Sequence, residues 1–159
     1  MNPRLLRLRA EIASDLAAFD ARVAELRSID LDPPTPATMA QAAVALHHAY
    51  GAIESALTRV ARTIDGGLPE GADWHQALLD TMALDVAGLR PAVLSVETVA
   101  HARVLLAFRH FFRHAYAATW DAARLTALRD DATALEAPLR ADFARLDKLL
   151  ADLASGAQA

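Results

Sequence analysis

Residues 39–67 read MAQAAVALHHAYGAIESALTRVARTIDGG, and their spacing decides the fold. Met39, Ala43, Leu46, Tyr50, Ile53, Leu57, Val60 and Ile64 are separated alternately by four and three positions. A seam with that 3.5-residue repeat, sustained for about seven turns, is a long helix with one apolar edge to bury. Gly66-Gly67 supplies its stop, since glycine takes the left-handed conformation that closes a helix. Upstream, the run DLDPPTP at 30–36 separates it from what precedes, because proline cannot continue a helix.

The same reading extends in both directions. Leu5, Leu8, Ile12, Leu16, Phe19, Val23 and Leu26 form one continuous stripe for a first helix, with Asn2 as N-cap and Pro3 at its first position. A third helix is expected from about Asp73, carrying Trp74, Leu78, Leu79, Met82 and Val86 and stopping by Gly88. A fourth begins at Ser95, where Ser-x-x-Thr is a weaker relative of the capping box, and is expected to run to about Trp120. Asp121 caps a fifth, with Leu125, Leu128, Leu135, Leu139, Phe143, Leu146, Leu150 and Leu153 apolar and Pro138 expected to kink or restart it. Short connections and matched stripes predict an all-α antiparallel bundle of four to five helices. Residues 1–154 are expected to form one domain and 155–159 a flexible tail.

Composition narrows the function classes. The 159 residues include 38 alanines, so the 54% hydrophobic fraction signals helix more than an unusually apolar core. There is no cysteine, which excludes disulfides, thiolate metal sites and a thiol nucleophile. The first residues, Met1-Asn2-Pro3-Arg4, lead into charges rather than an apolar signal region, and the uncharged stretch 33–53 carries three prolines and two histidines. A cytoplasmic protein without a membrane span is therefore expected. A formal charge of -4 argues against a general nucleic-acid coat but leaves room for a local basic groove. No phosphate-binding glycine loop and no serine nucleophile elbow is present.

The fourth helix is the exception to that acidity. Between Thr98 and Trp120 there is no acidic residue, whereas Arg103, Arg109 and Arg113 alternate with His101, His110 and His114, interleaved with Phe108, Phe111, Phe112, Tyr116 and Trp120. One reading is a core helix whose arginines snorkel to solvent. His110 and His114 have zinc-ligand spacing, but flanking arginines and the lack of a neighbouring carboxylate oppose a divalent cation, so no metal is assigned. His47 and His48, being adjacent, point to different faces and read as half-exposed helix residues. A sharper reading takes Arg109, His114 and Tyr116 together as an R-x4-H-x-Y pattern.

That pattern resembles the HepT-like ribonuclease toxins of the HEPN superfamily. Tyr50-Gly51-Ala52-Ile53-Glu54, Asp65-Gly66-Gly67-Leu68-Pro69 with Trp74-His75, Arg90-Pro91-Ala92-Val93 and the run from Phe108 to Tyr116 carry the same resemblance, covering roughly residues 40–125. One position departs: many HEPN nucleases place Asn or Asp directly after the motif arginine, where this chain has His110.

The resemblance implies a metal-free, cofactor-free endoribonuclease. Arg109 would clamp the phosphate, His114 would serve as acid and base, and His110 and Arg113 would support RNA binding. It further implies a homodimer with both motifs in one cleft, and an MNT-type nucleotidyltransferase antitoxin that adds AMP to Tyr116. The alternative is a catalytically weak helical module that binds a nucleotidyltransferase or nucleotide. On an ideal helix Arg109 and Tyr116 share a face, whereas His114 is rotated about 140° from Arg109. Long side chains, a local bulge or a second subunit must then help to bring the two together.

Overall fold

The computed structural model describes residues 2–115 and 119–156. Five α-helices follow one another: α1 (Pro3–Ser28), α2 (Pro36–Val60), α3 (Trp74–Met82), α4 (Val96–His114) and α5 (Ala122–Ser155). Among the described residues there is no strand, only an isolated bridge between Val86 and Arg90. None of the described helices is long and apolar enough to cross a membrane.

The caps follow from the sequence. Asn2 accepts from the Arg4 N–H with Pro3 at the first helical position. Thr35 and Thr38 cap α2 reciprocally, Ser95 accepts from the Thr98 N–H, and Asp121 accepts from the Ala123 N–H. Each satisfies a donor that the first turn leaves without a carbonyl.

Cross-helix pairs fix the directions. Arg59 of α2 meets Asp15 of α1 at 2.7 Å, near the end of one helix and the first half of the other. On the other flank of α1, Arg9 pairs with Asp147, Asp20 with Arg140 and Arg27 with Glu136, so α1 and α5 run antiparallel. His101 with Asp131 and Ser95 with Asp142 set α4 antiparallel to α5. Arg109 with Glu54 does the same for α4 and α2. The four long helices thus form a ring, α1-α2-α4-α5, with each antiparallel to both neighbours. Short α3 bridges α2 and α4 on the outside.

The α2 seam lies at the centre of this ring. Leu46, Tyr50, Ile53, Leu57 and Val60 are completely inaccessible. Burial of each large aliphatic side chain contributes about 1.5–3 kcal/mol. The seam is therefore spent inside the chain and offers no apolar face for a second copy.

Three boundaries differ from the sequence expectation. After Val60 the backbone of α2 widens into a π-helical turn, Ala61–Asp65, before Gly66 (φ 88°) ends it. Helix α3 stops at Met82, and the following residues form a tight turn: the Val86 N–H donates to the Arg90 carbonyl at 2.8 Å, with Gly88 (φ 76°) at the tip. Gly88 closes that turn rather than the helix, and burial of Arg90 explains why. Its guanidinium binds both Asp65 oxygens at 2.7 Å and also the carbonyls of Thr81, Leu84 and Pro91. Finally, α4 ends at His114, not near Trp120. Trp120 packs on Phe112, Phe111 and Phe108, with ring centroids 5.8, 6.1 and 6.2 Å apart. Helix α5, in contrast, continues through Pro138 as one 34-residue element and reaches Ser155.

Candidate active site

The basic strip of α4 divides according to which carboxylates its neighbours supply. His101 donates through Nδ1 to Asp131 of α5 at 2.8 Å, and Arg103 pairs with Asp80 of α3. Both are committed to holding the bundle together. Towards the C-terminal end of α4, Arg109 is mostly buried, whereas His110, Arg113 and His114 are exposed.

Arg109 turns into the seam between α2 and α4. One terminal nitrogen, Nη2, lies 3.1 Å from Oε1 of Glu54. The other, Nη1, is buried without a hydrogen-bond partner among the described residues, as are the Tyr50 hydroxyl and Nδ1 of His47. Glu54 is itself buried, and its second oxygen accepts from Nδ1 of His75 at 2.6 Å. His75 comes from the first turn of α3, where it stacks on Trp74 with centroids 3.7 Å apart. Its ring also meets His110 edge to face at 5.5 Å and 82°. The residue that stands where many HEPN nucleases have Asn or Asp is thus packed against the histidine that Glu54 holds.

His114 is oriented by its own helix. Its Nδ1 lies 2.8 Å from the carbonyl of His110. A carbonyl only accepts, so Nδ1 carries the proton and Nε2 keeps its lone pair for chemistry. His114 faces solvent while Arg109 faces Glu54, so the two motif side chains do not converge within one chain, in keeping with their angular separation. Tyr116 lies outside the described residues.

The surroundings of His110 and His47 push these two towards their neutral forms. Partial burial, then His75, Arg109 and His114, hold His110 below the ordinary imidazole range, with Glu54 opposing. Burial comes first for His47 too, followed by Arg109, His48 and Arg113. His47 stacks on Phe112 with centroids 4.6 Å apart, which bridges α2 to α4 beside Arg109. Burial also pushes the Tyr50 phenol up, reinforced by Glu54.

Sequence reasoning did not assign roles to Glu54, His75 and His47. A signal for the first was present: Glu54 is the only acidic residue between Asp32 and Asp65, and it adjoins the buried seam residue Ile53. An acid embedded in an apolar helix face needs a partner. Among the described residues, no group of three or more His, Asp or Glu side chains is arranged to hold a metal ion.

These features define an all-helical bundle with a polar cluster buried between two helices and an exposed histidine at the end of one of them. Over residues 41–150 the chain matches the family model for HepT-like proteins, and it belongs to that family. It is thus a HEPN-type helical protein, as its motif residues implied. No curated protein and no solved structure matches the chain.

Proposed function

We propose that the chain is a metal-independent endoribonuclease toxin of the HepT/MNT type, cutting RNA at the end of α4. The observation that carries this reading is His114: an exposed imidazole whose Nδ1 proton is held by the His110 carbonyl, leaving Nε2 free at the solvent-facing end of the helix that also carries the family-typical Arg109. RNA brings its own nucleophile. Nε2 takes the proton of a 2′-hydroxyl, the 2′-oxygen bonds to phosphorus, and the bond to the 5′-oxygen breaks. The leaving oxygen takes a proton from an imidazolium, giving a 2′,3′-cyclic phosphate and a 5′-hydroxyl. Arg109 binds the phosphate and stabilises the charge on its oxygens. His110 and Arg113 extend the positive surface along the strand.

Because Arg109 and His114 face different directions within one chain, the complete site on this reading is shared by two copies. Val104 and Phe111, seven residues apart and 39% and 37% exposed, form an apolar edge of α4 suited to that pairing. A nucleotidyltransferase partner silences the enzyme by transferring AMP from ATP to the Tyr116 hydroxyl with release of pyrophosphate, which adds bulk and negative charge three positions after Arg113 in the sequence.

The primary test is cleavage of RNA by purified protein in excess EDTA. Cutting that is lost in Arg109→Ala and in His114→Ala, with helical content unchanged, supports the reading; undiminished activity in both variants removes it. Sedimentation that finds only monomer at micromolar concentration rejects the shared cleft. Incubation with the partner and ATP should add one AMP mass at Tyr116, and labelling elsewhere rejects that role.

One observation favours a second reading, a catalytically weak module that binds a nucleotidyltransferase or nucleotide. Arg109 is already engaged by Glu54. Toxicity separates the two: growth arrest that disappears with His114→Ala belongs only to the enzyme.

A further inference from the structure

We infer that Glu54 and His75 form a positioning pair for the Arg109–His110 step of α4, setting the aim of the phosphate-binding guanidinium without touching RNA. This inference rests on the ribonuclease reading for its kinetic consequences. Its structural content is independent of that reading.

The argument begins with the cost of Glu54. A carboxylate in the seam between α2 and α4 loses its water and must recover the lost hydrogen bonds from protein donors. Each oxygen has one partner: Oε2 accepts a hydrogen bond from Nδ1–H of His75, and Oε1 faces Nη2 of Arg109 at 3.1 Å as an ion pair. Each donor comes from a different helix, so a single carboxylate fixes α3 and α4 relative to α2. His75 is in turn wedged between the Trp74 face and the His110 edge. Its Nδ1 must carry a proton, because the carboxylate oxygen it meets is an acceptor.

The pairing also sets which part of Arg109 is free. Glu54 occupies only Nη2, leaving Nη1 without a partner among the described residues. An arginine with one nitrogen ion-paired and the other buried without an acceptor is held in one place and keeps N–H groups that the described residues do not saturate, which a phosphate reaches only once the seam uncovers them. That is the preorganisation that phosphate recognition requires. His110 receives the same constraint through His75. In this chain an imidazole–imidazole contact therefore serves at the position where other HEPN nucleases carry an amide or a carboxylate.

Glu54→Gln keeps the shape but gives one of the two donors an NH2 to face instead of an oxygen. Per folded molecule, kcat on RNA should fall by about 10²-fold, the cost of a misplaced group, with KM changed far less and the melting temperature near that of the unmodified chain. His75→Gln should reproduce the kcat loss to a smaller degree. Asp80→Asn, on the exposed side of α3, should leave cleavage unchanged. Wild-type kcat and KM in Glu54→Gln, with Arg109→Ala inactive, would overturn the inference while leaving the ribonuclease reading intact.

Nitrogen-15 NMR of the histidine rings decides the structural part whether or not the protein cuts RNA. His75 should show a protonated Nδ1 with a slowly exchanging hydrogen, and that signal should shift in both Glu54→Gln and Arg109→Lys. A freely exchanging His75, or one indifferent to both substitutions, rejects the pair.

Discussion

Arg90 and Arg109 are both buried guanidiniums paired with a carboxylate on or just beyond α2, yet their surroundings are opposite. Arg90 uses all five of its N–H donors: two on Asp65 and one each on the carbonyls of Thr81, Leu84 and Pro91. Arg109 has a single ion-pair contact, to Glu54, and one terminal nitrogen with no partner among the described residues. A saturated guanidinium has nothing left to offer a ligand and serves as a staple between the π-turn and the α3–α4 loop. An unsaturated one carries a standing desolvation cost that no described residue offsets, and the proposed phosphate contact would offset it.

Four experiments probe that contrast, in decreasing order of expected effect. Arg90→Ala strands Asp65 without its counter-charge and should destabilise the fold by about 3–5 kcal/mol in denaturant unfolding. Cleavage per folded molecule should be unaffected; lost cleavage at full stability would reverse the roles assigned to the two arginines. Arg109→Lys keeps the charge against Glu54 but loses the planar fork. It should cost about 1 kcal/mol of stability or less, within the range of ordinary single substitutions, while reducing RNA cleavage by at least about tenfold.

The third experiment uses pH. His47 is held below the ordinary imidazole range, mainly by burial. As pH falls below about 6.5, the unfolded chain takes up protons before the folded one does. Stability is thus complete above that pH and is lost as pH drops towards the depressed folded value. His47→Phe should preserve the stack on Phe112 and flatten the decline in melting temperature between neutral and mildly acidic pH; an unchanged slope assigns the effect elsewhere. Smallest of all, Arg103→Ala removes an ion pair that is about half exposed on both sides and should change stability by less than about 1 kcal/mol.

Much of the fold was legible in the sequence because local chemistry and packing agree. Asn2, Ser95 and Asp121 cap where short polar side chains precede an apolar stripe, and the stripes of α1 and α2 are buried as their spacing required. The failures share a cause. Nothing in Ala115–Trp120 breaks a helix by itself, since the segment has neither glycine nor proline. Helix α4 nonetheless stops at His114, and Trp120 packs on three phenylalanines of that helix, a contact no local signal announces. The turn at 86–90 is likewise imposed by a buried arginine whose acceptors are scattered from Asp65 to Pro91.

The candidate site was legible in part for a related reason. Arg109, His110, Arg113 and His114 stand out because they interrupt an acidic chain within a few positions of one another. Glu54 and His75 lie 21 residues apart on separate helices, and their 2.6 Å contact exists only once the ring of helices closes. The contact between His75 and His110 is equally non-local. The strip itself also proved to be two things, with His101 and Arg103 paired to Asp131 and Asp80 and its latter half turned to Glu54 in the seam or left exposed without a carboxylate partner among the described residues.

The far end of α4 bears on the chemistry as well. Asp142 of α5, 1% exposed, accepts from both the backbone N–H and the hydroxyl of Ser95, which grips the first turn of a 19-residue helix. That helix is a stiff shaft roughly 28 Å long. Its azimuth is set at one end and read out at the other, so a few degrees of roll where Asp142 lets go would swing the guanidinium and the terminal imidazole together. The aim of both side chains is therefore hostage to a contact at the opposite end of the same helix.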